Sequence, residues 1–317
     1  MKCKFGLVIL VCAFAVANLR CTVLADEASR YPRLGVYDPH RLLKDEKSIA
    51  IEHTFVYWQR FSPEQYQTFA KSAAERSREV MVTVEPWTRA DNWTRGRETL
   101  LDDIINGGFD KEIGSVCRAV GASGSPVMVT WGHEMDEQEG RYPWANQNPE
   151  KYKKAFHYFV DHCRPLAPHA RFGWTPKGEE TLGAYYPSDD YVDFIGLKLF
   201  DLQAWNQDHQ DWRSFEDKFD ALHKQVASFG KPIVLAEFGV EGDDGFRQAA
   251  LECALERIGA FDHLEAIVYF NDRETWRWPR QYGHPDWRIA SGEFFECRPQ
   301  YISTLMAPMS GLFSPVE

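Results

Sequence analysis

Two glutamates occupy positions that chemistry can use. The segment Val129-Thr130-Trp131-Gly132-His133-Glu134-Met135-Asp136 and the segment Ile233-Val234-Leu235-Ala236-Glu237-Phe238-Gly239 each carry a Glu just past an apolar run. The two lie 103 residues apart, the span of three strand–helix units of roughly 34 residues in a (β/α)8 barrel of about 250 residues. A single carboxylate at a strand end is commonly a helix cap or half of an ion pair. Two of them on strands four and seven face each other across a barrel mouth, where they can flank one glycosidic bond. At a separation of about 5–5.5 Å one protonates the leaving oxygen and the other attacks the anomeric carbon, giving retention. The anion at Glu237 is then expected to raise the pKa of Glu134.

Other chemistries fit the residues less well. His133-Glu134 begins like a zinc-protease helix, but position 137 is Glu rather than His. His157, His162 and His169 are spaced by five and seven residues, so they do not share a helical face and read as solvated or packed imidazoles. No Gly-x-Ser-x-Gly elbow occurs for a serine nucleophile. Neither a metal nor a cofactor is called for. Candidate sugar contacts are Trp87 of Glu85-Pro86-Trp87, Tyr142 and Trp144 in the stretch after Glu134, and Trp131 and Trp174 at run ends, of which Trp174 is the better subsite residue because Pro176 and Lys177 follow it.

The elements that must position these residues follow from hydrophobic patterning. Eight short apolar runs, at 34–37, 49–57, 79–85, 126–130, 171–174, 192–199, 232–236 and 265–270, have the near-continuous apolar character of strands covered on both faces. Helices are predicted over 63–77 behind a Ser62 cap and 149–163 behind Asn148, each with Pro at its first position. Further helices are predicted over 214–229, ending at Gly230, and over 245–261. Strand–helix alternation repeated eight times predicts a single (β/α)8 TIM barrel. An open doubly wound sheet would bring a Gly-rich phosphate loop after an early strand; Gly121-Ala122-Ser123-Gly124-Ser125 precedes a strand instead.

Composition narrows the class further. Met1-Lys2-Cys3-Lys4 and the apolar run 5–17 form a leader too short to span a bilayer, with cleavage expected before Asp26. Residues 1–25 are thus read as a signal peptide, 26–317 as the catalytic domain, and the location as secreted or periplasmic. Net charge is −11, and loss of Lys2, Lys4 and Arg20 leaves about −14; with no basic cluster, a nucleic-acid partner is disfavoured. Eleven Trp and thirteen Tyr suit a carbohydrate partner. A monomer is expected, without stable membrane insertion once the leader is removed. Of seven Cys, four remain after cleavage: Cys117, Cys163, Cys253 and Cys297. An even number in an exported chain permits two disulfides. Asn92-Trp93-Thr94 is a glycosylation sequon, meaningful in a eukaryotic secretory pathway.

Five segments in order resemble glycoside hydrolase family 26, the β-mannanase family of clan A. They are His133-Glu134-Met135-Asp136, Gly140-Arg141-Tyr142-Pro143-Trp144, Phe172-Gly173-Trp174-Thr175-Pro176, the stretch 185–196 leading into the sixth run, and Leu235-Ala236-Glu237-Phe238-Gly239. The likeness runs from about Leu34 to Phe270. It implies Glu134 as acid/base, Glu237 as nucleophile and His133 beside the acid in the −1 subsite. It further implies an endo-acting retaining hydrolase of a β-linked polysaccharide, β-1,4-mannan first, with β-glucan, β-1,3-xylan or an exopolysaccharide trimmed during export as alternatives. A non-catalytic sugar-binding barrel would keep the aromatics and lose the carboxylates; both carboxylates are present. Two positions depart from the family pattern. Phe200 stands where the family commonly carries a Tyr whose hydroxyl reaches the nucleophile, which leaves Lys198, His133 and Asn271 as replacement donors to Glu237. The eighth run ends Tyr269-Phe270-Asn271-Asp272 where the family carries a Trp platform, leaving Trp276 or Trp278 to supply one.

Overall fold

A computed structural model describes residues 31–88, 96–259, 261–278, 281–291 and 295 of the 317-residue chain. The leader, the Asn92 sequon and Cys297 lie outside the described residues. Eight parallel strands close into a barrel in chain order: β1 (Arg33–Tyr37), β2 (Ile49–Tyr57), β3 (Glu79–Glu85), β4 (Val127–Trp131), β5 (Ala170–Trp174), β6 (Phe194–Leu202), β7 (Ile233–Glu241) and β8 (Leu264–Phe270). β1 pairs with β8 in parallel, and this closes the ring. Every strand matches an apolar run of the sequence; β6 and β7 extend farther at their C-terminal ends than those runs.

Around the strands lie α1 (Pro63–Glu75), α2 (Arg97–Ile105), α3 (Asp110–Ala122), α4 (Pro149–Cys163), α5 (Gln203–His209), α6 (Phe215–Val226), α7 (Asp244–Leu251) and α8 (Ala254–Ile258). Capping chemistry sets several starts. The side chains of Ser62, Asn148 and Ser214 accept from Gln65 N, Lys151 N and Asp217 N, and Ser214 with Asp217 forms a full capping box. One expected helix is broken. The stretch over 245–261 divides into α7 and α8 because Cys253 adopts φ 56°, a left-handed conformation no helix interior accommodates.

Two apolar regions follow from the barrel geometry. Outward residues of the strands pack beneath the helices. Inward residues Ile51, Met81, Met128, Phe194, Val234, Ala236, Ala266 and Val268 fill the barrel itself. The Phe194 ring reaches the centre because position 173 is glycine; a Cβ there would lie 2.3 Å from ring atoms. Two residues farther along several strands, the inward positions turn polar. His53 Nε2 meets Thr83 Oγ1 at 2.8 Å, and Thr83 Oγ1 meets Thr130 Oγ1 at 2.8 Å. Burial lowers the His53 pKa to about 3, so this imidazole is neutral. Sequence period two thus lays a polar floor over an apolar plug, and the candidate site stands on that floor. Cys117 of α3 and Cys163 of α4 form a disulfide, and Cys253 is also disulfide-bonded. Among the described residues no helix is long and apolar enough to cross a membrane.

Candidate active site

Local backbone geometry aims both glutamates. Beyond β4 the chain takes left-handed conformations at Gly132 (φ 55°) and Glu134 (φ 52°). Such strain in a non-glycine residue persists only where the surroundings hold it. Here Gly132 N donates to Val84 O at 3.0 Å, Glu134 N donates to Thr175 O at 2.7 Å, and Trp144 Nε1 donates to His133 O at 2.7 Å. The loop that follows is tied from within. Asp136 accepts from the backbone of Lys177, Gly178 and Glu179 at 2.6, 3.0 and 2.8 Å. Glu137 accepts from the backbone of Glu139, Gly140 and Arg141. On the far side, Glu237 lies within β7 at a register irregularity against β8, and the β6–β7 register shifts next to Lys198, which pairs with Glu237. Bulges of this kind re-aim side chains beside active sites.

One ammonium joins the two carboxylates. Lys198 Nζ lies 2.6 Å from Glu134 Oε1, 2.5 Å from Glu237 Oε1 and 2.6 Å from His133 Nδ1. Two oxygens sharing one nitrogen can be no farther apart than those distances added, about 5.1 Å. His133 Nε2 faces Glu85 Oε1 at 3.1 Å, and its Nδ1 lies 3.7 Å from Glu237 Oε1. An ammonium has three donors and no lone pair, so Nδ1 accepts from it and the ring proton sits on Nε2, donated to Glu85. Glu134, Glu237, Lys198 and His133 are 8%, 6%, 8% and 2% exposed.

Burial pushes both glutamates up, and charge overrides it. Lys198 and, after it, Arg141 bring Glu134 below its ordinary pKa. The Lys198 ammonium holds Glu237 far below the carboxylate range. This corrects the expectation of a raised Glu134. The anion at Glu237 does oppose a second charge, but the Lys198 ammonium touching both carboxylates outweighs it.

A cleft of about 630 Å3 opens over the site, lined by Glu134, Arg141, Lys198, Phe200, Trp205, Trp276 and Trp278 among others. Glu237 is not one of its lining residues, but its carboxylate touches Lys198, which is. The expected sugar contacts divide. Trp276, 52% exposed, and Trp278 lie in the cleft wall with Phe200. Trp87 is part-buried, stands edge-on to Trp144 and donates from Nε1 to Glu85 Oε2 at 3.3 Å. Tyr142 is buried, its ring 4.9 Å from His133 and stacked on Trp144 at 4.7 Å. Three candidates are corrected. Trp144 and Trp174 are fully buried, so neither offers a ring face to a sugar; Trp144 braces the His133 carbonyl, and Trp174 packs edge-on to Tyr186 and Phe229. Asn271, also fully buried, donates to Asp38 Oδ1 at 3.1 Å and accepts from Ile289 N at 2.7 Å, stitching the ends of β8 and β1. Trp131 likewise belongs to the core, stacked on Phe159.

Some contributors were not singled out from sequence. Arg141 lies over the Tyr142 ring, 5.0 Å from its centroid, and meets Glu274 Oε1 at 3.3 Å. Its place in Gly140-Arg141-Tyr142 just after the first carboxylate was the available signal. Asp136 and Glu137 were visible as acidic residues beside Glu134, but their role as backbone acceptors depends on loop closure. Among the described residues no His, Cys, Asp and Glu group is arranged to hold a metal ion.

An eight-stranded (β/α)8 barrel with two carboxylates converging at the C-terminal mouth of β4 and β7 defines the class of protein: a barrel with a paired acidic centre. The family model described as glycosyl hydrolase family 26 matches residues 44–238, and the chain belongs to that family. Endoglucanase H of Acetivibrio thermocellus is 28% identical over 267 residues, covering 77% of this chain and 26% of that protein. The β-1,3-xylanase TXYA of a Vibrio species is 30% identical over 144 residues, covering 43% of this chain and 28% of that protein. The chain therefore spans about a quarter of the length of these relatives. Among solved structures, the catalytic domain of the family 26 endo-β-1,4-mannanase of Bacillus sp. JAMB-750 superposes with a TM-score of 0.61 at 15% identity, covering 86% of this chain and 88% of that one. At that identity the likeness is one of fold.

Proposed function

We propose that this chain is an exported, retaining endo-β-glycosidase in which Glu237 is the nucleophile and Glu134 the acid/base, with β-1,4-mannan as first substrate. The observation that carries the reading is that both carboxylates share Lys198 Nζ, which brings their anchored oxygens within about 5.1 Å of each other, in keeping with the roughly 5–5.5 Å spacing of a retaining pair. An inverting pair would stand about 6.5–9.5 Å apart to admit a water between. In the first step Glu237 attacks the anomeric carbon while Glu134 passes its proton to the leaving oxygen. In the second, water attacks the glycosyl ester as Glu134 takes a proton from it, and the bond to Glu237 breaks. Lys198 keeps Glu237 anionic until attack, and His133 orients Lys198 by accepting one of its protons. Trp276 and Trp278 offer ring faces along the cleft. Export rests on the basic-then-apolar leader of residues 1–25.

A second substrate, β-glucan, is favoured by the span of the likeness to the endoglucanase, 77% of this chain. Product sizing after incubation with mannan, β-glucan and β-1,3-xylan separates these. For the mechanism, Glu237→Ala should lose at least about a thousandfold in rate, since the covalent step is gone. Added azide should restore cleavage of an activated aryl glycoside and yield the inverted glycosyl azide. A variant keeping more than about a tenth of the wild-type rate removes Glu237 from the role.

A further inference from the structure

Lys198 is a full charge placed between two groups whose charges change during the proposed reaction. We propose that Lys198 is a shared counter-ion that stays paired with the travelling negative charge through both steps of the double displacement, positioning both carboxylates without itself exchanging a proton. The proposal rests on the assignment of Glu134 and Glu237 given above.

The geometry is specific. Lys198 donates to Oε1 of each glutamate at 2.6 and 2.5 Å, and among the described residues no hydrogen bond falls on either Oε2. Each carboxylate thus has one oxygen anchored and one left for chemistry. Before the first step, the reactive form carries a proton on Glu134 and a charge on Glu237. As the Glu237 Oε2–C1 bond forms and the C1–O glycosidic bond breaks, the proton moves from Glu134 to the leaving oxygen. The charge has then moved from Glu237, now an ester, to Glu134. Water next adds to C1, its proton returns to Glu134, and the C1–Oε2 bond breaks with the electron pair going to Glu237. At each stage one full negative charge sits within 2.6 Å of Nζ, and the ammonium need not move. Its third donor goes to His133 Nδ1, which fixes its direction. Pairing of a buried charge that is already in place involves no reorganisation at the moment of reaction. The other ionisable groups facing the pair are His133 and Arg141, with Glu85 and Glu274 as their partners, Lys177 in the cleft wall, the Tyr142 and Tyr37 phenols, and His53 neutral below.

Two measurements test this. In Lys198→Gln, removal of the cation raises the pKa of both glutamates, so the whole bell of kcat/KM against pH on a soluble β-1,4-glucomannan should move up by about one pH unit or more. The rate should fall on the order of a hundredfold. Lys198→Arg, which keeps the charge, should leave the bell near its wild-type position even where the rate drops. The second measurement uses the wild-type enzyme and no substrate. With [13Cδ]glutamate labelling and assignment by Glu134→Gln and Glu237→Gln, both resonances should titrate below the usual glutamate range. A bell that stays in place in Lys198→Gln, or a wild-type Glu134 resonance titrating above that range, overturns the proposal. If Lys198→Gln does not yield folded enzyme, the carbon titration decides alone. Loss of the nucleophile assignment would show separately, in the azide experiment.

Discussion

Glu134 serves two opposed demands at the scale of single residues. An acid catalyst must hold a proton, yet Lys198 and Arg141 favour its ionised form over the pull of burial. The sign follows directly. A depressed pKa means that the protonated, acid-competent form is lost as pH rises through a value below the ordinary glutamate one, so kcat/KM should peak on the acidic side and fall toward neutrality. Glu237, held lower still, remains an available nucleophile throughout that window. The role of Glu134 is checked by leaving-group dependence. Glu134→Ala should lose about 10²–10⁴-fold on polysaccharide, where the leaving alcohol needs a proton. It should lose far less on a dinitrophenyl glycoside, whose leaving group departs unaided. Equal losses on the two substrates would remove Glu134 from the acid role.

The elements explain what was legible in the sequence and what was not. Strand positions were readable because parallel strands covered on both faces leave continuous apolar runs, and helix starts at Ser62 and Asn148 were readable because capping is local chemistry. Strand ends were less so. β7 runs on to Glu241 through Glu237, since a bulge lets a strand continue past the residue it re-aims. The split between α7 and α8 at Cys253 was hidden because apolar spacing alone continued across it, and a left-handed residue leaves no mark on that spacing. α2, with Leu100, Leu101 and Ile104 buried on one face, carried a helical spacing that was readable but short. In the site, the residue types were legible while their exposure was not. Trp144, Trp174 and Asn271 sit at strand or loop ends as substrate contacts do, yet three-dimensional packing closes over them. Trp276, on the segment after β8, is an exposed ring in the cleft wall. Trp276→Ala should raise KM for long oligosaccharides by about 2- to 12-fold, the equivalent of a stacking contact of about 0.5–1.5 kcal/mol, with kcat nearly unchanged. A KM that does not move would take Trp276 out of the substrate path.

Across the whole molecule, barrel closure converts sequence distance into convergence. Strands four and seven bring residues 134 and 237 onto one nitrogen of strand six, and the polar floor of His53, Thr83 and Thr130 separates them from the apolar plug that fills the barrel below. The Cys117–Cys163 disulfide ties two neighbouring helices of the outer layer across 46 residues, a closure worth about 4 kcal/mol in chain-entropy terms. The cleft's exposed aromatic faces and the net charge of −11 suit a neutral polysaccharide better than a polyanion. What the closed barrel fixes most firmly is the spacing of the two carboxylates, and spacing dictates stereochemistry. Proton NMR of the anomeric region during the first minutes of hydrolysis of a β-linked oligosaccharide reads it directly. The β-anomer should appear first and the α-anomer only later, by mutarotation. An α-anomer that appears first would contradict the double displacement and the assignment of Glu237 as nucleophile.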